Sequence, residues 1–121
     1  MEEFDIESTL VEAIRNGDKT IEAKLGEPRF LRIQEDDTVI INEDFWYEGK
    51  ILESLPRALE VKITQVLYFE TFKELFEVLD FQQAIPSAHS VEDAVKIYKE
   101  LYTAEEEREA GVIAFTFEPI I

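Results

Sequence analysis

Four polar side chains that could do chemistry together stand within six residues: Lys19, Thr20, Glu22 and Lys24, in the stretch Gly17-Asp18-Lys19-Thr20-Ile21-Glu22-Ala23-Lys24-Leu25. A lysine can neutralise an oxyanion and, if desolvated, act as a base. Glu22 can accept hydrogen bonds from a ligand amine. Thr20 can donate or accept beside it. Residues two apart on a strand share a face, so Lys24 can orient Glu22. Lys19 and Glu22 are therefore the catalytic candidates, and all four are candidates for ligand binding. The blander reading is a turn lysine and a surface ion pair worth about 0–1 kcal/mol.

Three residues outside this stretch extend the candidate site. Tyr68 ends a long alternating run, where an aromatic ring could stack on a base. Ser87 and His89 lie in Pro86-Ser87-Ala88-His89, just before a helix start. His89 is the only histidine. Its unperturbed pKa lies near neutrality, so proton transfer beside Ser87 is one reading. A nucleophilic pair would also need an orienting acid and an oxyanion hole, and neither can be placed. The alternative is an ordinary capping-region histidine. One histidine and no cysteine give no spacing for a metal site. No phosphate-cradling glycine loop, serine elbow or calcium loop occurs, and no cofactor is expected.

Helices and strands must position these groups. A helical stripe of Leu10, Ala13 and Ile14, preceded by Ile6 and capped by Asp5, ends at Gly17, where a left-handed residue is cheap. Alternation then predicts a strand over Thr20–Leu25. Ile21, Ala23 and Leu25 face the core, and Thr20, Glu22 and Lys24 face an accessible side. Arg29 to Ile33 is ambiguous. Thr38 to Asn42 reads as a strand rich in β-branched residues. Phe45-Trp46-Tyr47 and Lys50-Ile51-Leu52 flank Gly49 as a hairpin or aromatic loop, and Pro56 ends that section. Ala58 to Phe69 reads as a long strand, with Leu59, Val61 and Ile63 on one face. Thr71-x-x-Glu74, Ser90-x-x-Asp93 and Thr103-x-x-Glu106 start three helices. Gly111 launches a last strand. Early strands closed by a late one make a small mixed barrel, hence an α+β fold.

A chain of 121 residues with 45% apolar content can bury a core and is read as one domain. The absence of cysteine fits a reducing compartment. The acidic start, Met1-Glu2-Glu3-Phe4-Asp5, is unlike a secretory signal. No apolar run approaches the ~20 residues of a membrane span. A cytoplasmic protein with no membrane partner is expected. The formal charge of −16 disfavours duplex DNA. The charge is uneven: residues 15–32 hold five basic and three acidic groups, a window of +2 in a chain otherwise at −18.

The order Gly17-x-Lys19-x-x-Glu22-x-Lys24 resembles the GxKxxExR motif of ASCH domains, a branch of the PUA-like barrels, with Lys24 where the family has arginine. The runs from Ala58 to Phe69, His89 to Tyr102 and Gly111 to Phe115 resemble its central strand, late helix and closing strand. The resemblance implies a PUA-like mixed β-barrel of about five or six strands with flanking helices. Its implied ligand is single-stranded RNA or a nucleotide-like molecule. Some ASCH proteins remove an acetyl group from modified cytidine, using a lysine in this motif, a threonine where Glu22 stands and a glutamate that would fall near Ser87. Lys19 alone matches that set, so weak or absent acetylcytidine hydrolysis is expected. Three functional readings follow. The first is a polar cleft for RNA or a nucleotide-like ligand. The second is a hydrolase on a modified nucleoside or RNA. The third is an interaction module built on the aromatics around Trp46.

Overall fold

A computed structural model describes residues 1–120. Its frame is a five-stranded mixed sheet: β1 (Glu3–Glu7), β2 (Ile21–Leu25), β3 (Thr38–Tyr47), β4 (Lys50–Phe69) and β5 (Val112–Pro119). The spatial order is β1-β3-β4-β5-β2. β1 runs parallel to β3, and every other pairing is antiparallel. The sheet curls into a half-barrel, so its two end strands approach each other. Phe4 of β1 lies 5.3 Å from the Lys24 ammonium of β2.

One apolar cluster fills the barrel: Phe4, Val39, Ile41, Val61, Ile63 and Phe115, closed by Val11 and Ile14 of α1 (Ser8–Asn16) and Phe30 of α2 (Pro28–Leu31). A second cluster lies outside it. Ile21, Ala23 and Leu25 of β2 pack there against α3 (Phe72–Val78) and α4 (Val91–Leu101). Thr71 and Ser90 cap these two helices by accepting amides of Glu74 and Asp93. Thr103 and Glu106 form a reciprocal capping box on α5 (Ala104–Ala110).

The strands expected over 20–25, 38–42, 58–69 and from 112 onward are all present, with Ile21, Ala23, Val61, Ile63 and Phe115 buried. Four details differ. Asp5 caps no helix, because Phe4 and Ile6 alternate with exposed neighbours in β1, and α1 begins only at Ser8. The ambiguous stretch near Arg29 is the short helix α2, opened by Pro28 at its first turn. Pro56 does not end a section. β4 runs through it, and a bulge places Arg57 at φ 53° with its amide on the Asn42 side chain. Finally, Glu22 and Lys24 do not lie on an open face. β2 is covered on both sides, by helices over Ile21 and Ala23 and by the barrel interior over Glu22 and Lys24. Glu22 is buried and Lys24 half-buried.

Candidate functional site at the edge of the half-barrel

Gly17 ends α1 at φ 89°, and the amides of Asp18 and Lys19 both turn back to the Ala13 carbonyl. That turn drives the Lys19 side chain inward. Its relative exposure is 0%. Nζ donates to the carbonyl oxygens of Ile21 (2.7 Å) and Ala84 (2.6 Å), and lies 3.7 Å from Glu22 Oε1. Glu22 Oε1 accepts the Ala23 amide at 2.9 Å and the Tyr98 hydroxyl at 2.6 Å.

These bonds have a common geometry. β2 is an end strand with β5 on one side only. Phe117 N donates to Thr20 O, so the alternate groups of Ile21 and Ala23 point to the open edge. An unpaired strand edge leaves backbone donors and acceptors without partners. Lys19 takes up the Ile21 carbonyl, and Glu22 takes up the Ala23 amide. The two motif side chains thus stand in for a sixth strand.

Burial disfavours the Lys19 cation and lowers its pKa, a shift that Glu22 opposes. Burial also pushes Glu22 up, but the Lys19 and Lys24 charges, the Tyr98 hydroxyl and the Ala23 amide outweigh it and hold the carboxyl below its usual value. The Tyr98 hydroxyl is pushed well up by burial and by Glu22. Its ring stacks on Phe72 at 5.0 Å, which fixes the hydroxyl against Glu22.

One oxygen of Glu22 stands apart. No hydrogen bond reaches Oε2, yet among the described residues no buried side-chain oxygen lacks a partner. Oε2 is therefore the less enclosed oxygen of a carboxylate whose side chain keeps only 7% of its exposure. Lys24, two residues on, has no carboxylate within ion-pair distance among the described residues. Its ammonium lies over the Phe4 and Phe30 rings, at 5.3 and 5.7 Å, in the seam between β1 and β2. The Arg29 guanidinium lies 4.3 Å from the Phe30 ring centre. Both are cation–π distances.

The structure thus joins Lys19 and Glu22 directly and places Lys24 beside them. Thr20 is half-buried, and its hydroxyl bonds the Gln83 side chain at 3.2 Å. Tyr68, Ser87 and His89 are exposed and make no hydrogen bond or ion pair to the cluster. The His89 amide bonds Asp93, as expected of a residue beside a helix cap. Sequence reasoning missed Tyr98, which lies unremarked within the helical run from His89 to Tyr102. A phenol hydroxyl on the packed face of that helix, shared only with Tyr102 among its described residues, was the available signal.

A curled five-stranded mixed sheet, with a lysine–glutamate pair sealing its end strand, defines a PUA-like half-barrel. The ASCH domain model matches residues 5–121, and the chain belongs to that family. It is similar to the crystal structure of hypothetical protein PH0355, with TM-score 0.83 and 30% identity over 99% of this chain and 100% of that one. It also matches the solution structure of protein PF0455 from Pyrococcus furiosus, with TM-score 0.74 and 24% identity over 98% and 96% of the two chains, a likeness of fold. No curated protein matches the chain. No helix among the described residues is long and apolar enough to cross a membrane.

Proposed function

We propose that this chain binds single-stranded RNA or a nucleotide-like ligand at the seam between β1 and β2. The ASCH domain is generally linked to RNA binding. The observation that carries the reading for this chain is the divided Glu22 carboxylate. Oε1 is saturated inside the fold, while Oε2 accepts no hydrogen bond and stands near Lys24, which has no carboxylate partner among the described residues. In this reading an exocyclic base amine donates to Oε2, and a phosphate meets Lys24. Lys19 is a positioning residue in this reading: its amine is bonded to two carbonyls and fixes Glu22 from beneath. Nothing in this geometry favours hydrolysis, because the Lys19 amine has no surface for a substrate atom.

The test is a titration of the full chain with nucleoside monophosphates and short single-stranded RNAs, followed by anisotropy or calorimetry. A charge-assisted hydrogen bond is worth about 1.5–3 kcal/mol. Lys24→Ala should therefore weaken binding by about one to two orders of magnitude, and Lys24→Arg should retain most of it. Failure of the wild-type chain to bind any member of the panel would overturn the proposal, as would equal affinity in Lys24→Ala.

A further inference from the structure

Beyond residue 44 the β3–β4 hairpin leaves the barrel. β1 pairs with β3 only as far as Asp44, and β5 pairs with β4 only from Val61 onward. Residues 45–57 are therefore a two-stranded arm with both outer edges unpaired. Its tip is a two-residue turn in which Glu48 and Gly49 both take positive φ, 49° and 77°, closed by the Tyr47–Lys50 pair. This is the turn geometry that suits a twisted ribbon. The root is fixed: Ser8 and Arg15 hold Glu43, and Ser54 holds Asp44 at 2.7 Å.

The arm carries apolar side chains with nothing to cover them. Trp46 is 51% exposed, Tyr47 62% and Leu52 70%, and Ile51 and Leu55 are exposed too. Trp46 stands opposite Ile51, and Leu52 is the extra residue of a bulge between the Phe45–Glu53 and Trp46–Ile51 pairs. Isolated two-stranded ribbons are marginal in water and need an apolar surface to pack on.

We propose that this arm is a self-association surface, and that its occupant is the same arm of a second copy of this chain. Two observations select that partner. The first is charge. Glu48 and Glu53 balance Lys50 and Arg57, so residues 45–57 are neutral on a chain of −16. Two molecules this acidic repel across most of their surfaces, and the arm is where they can meet without adding like charge. A neutral arm has no cation excess to hold nucleic acid or an anionic membrane. The second is area. The pairing register sets Trp46 and Ile51 on one face of the ribbon and Tyr47 and Leu55 on the other, with Leu52 in the bulge between; at the exposures above, the Trp46 face with Leu52 presents on the order of 300 Å². A symmetric pair of arms meeting on that face buries about 600 Å², the size of a weak, reversible contact. The same patch on both copies gives a closed, two-fold contact. Pro56 lacks an amide and Arg57 sits in a bulge, so open-ended strand addition is blocked along that length of β4.

Analytical ultracentrifugation of the full chain across the micromolar range tests this. The expected result is a monomer–dimer equilibrium. Leu52→Glu sets two carboxylates against each other across the symmetry axis and should raise the dissociation constant by about tenfold or more. Its exposure makes the substitution compatible with folding. If that variant nonetheless unfolds, hydrogen exchange on the wild type decides. Amides 45–57 should become more protected as concentration rises, and protection unchanged with concentration overturns the proposal. A wild-type chain that stays monomeric overturns it, whether or not the arm then retains RNA or vesicles. A dimer indifferent to Leu52→Glu overturns it as well.

Discussion

At Lys19 an ammonium has left water for two carbonyl oxygens and a carboxylate 3.7 Å away. Removing one partner of a buried pair strands the other, at a cost of about 3–5 kcal/mol. Lys19→Met should therefore cost that much in urea unfolding, a large share of a typical domain's stability. The pH dependence has a definite sign. The Glu22 carboxyl is held below its ordinary value of 4.5 in the fold. Its contribution is present above that value and is lost as pH falls through the lower folded value. Glu22→Gln lacks this term and strands Lys19 as well. The stability gap between wild type and Glu22→Gln should be widest near neutrality and narrow in acid. A gap constant from pH 7 into strong acid would remove Glu22 from the pair. At the alkaline end Tyr102, half-buried and stacked on Phe72, is pushed up from 10.0 to about 12, chiefly by burial. A phenol raised in the fold stabilises below its unfolded value and loses that contribution as pH rises through the folded one. Tyr102→Phe should thus flatten the stability loss between pH 10 and 12.

At the scale of elements, β2 depends on how closely its neighbours approach. Gly26 follows it, donates to the Gly111 carbonyl at 3.0 Å, and lies so near α5 that a Cβ would overlap the Ala110 carbonyl oxygen. A backbone atom cannot rotate away as a side chain can. Gly26→Ala should cost about 1–3 kcal/mol as β2 and α5 are forced apart, a fall in melting temperature of roughly 3–18 °C in calorimetry. Most elements were legible because their signals are local. Thr103-x-x-Glu106 announces α5, and the alternation of Val61 and Ile63 announces β4. β1 was not, because Phe4 and Ile6 are too few alternating residues to outweigh the helical stripe that follows. The candidate site was half legible. Spacing put Glu22 and Lys24 on one face, but alternation cannot say which face is outside when an end strand is covered on both sides. The inward turn of Lys19 depends on the Ala84 carbonyl, 65 residues away, which no window of sequence contains. The same distance hid Tyr98, 76 residues from Glu22.

For the whole molecule the question is how a chain of −16 holds an anion at all. The positive window at residues 15–32 is mostly neutralised in the fold. Arg15 meets Glu12 and Glu43, Lys19 meets Glu22, Arg29 meets Glu27, and Arg32 meets Glu2. Among the described residues Lys24 is the cation of that window left without a carboxylate, so a phosphate at the seam meets about one free charge. Single-strand binding loses affinity with salt at a logarithmic slope near −0.7 per phosphate neutralised. Salt also screens the repulsion between the acidic surface and an incoming anion, over a Debye length of about 10 Å at 0.1 M. The two effects oppose each other. If the seam binds a nucleotide-like ligand as proposed, affinity should fall with salt at a slope of about −0.7 or shallower. Lys24→Ala should remove most of that dependence along with the affinity. A steep slope, of the kind produced by many phosphate contacts, would place the ligand on some other surface. A salt dependence identical in wild type and Lys24→Ala would mean that Lys24 holds no phosphate.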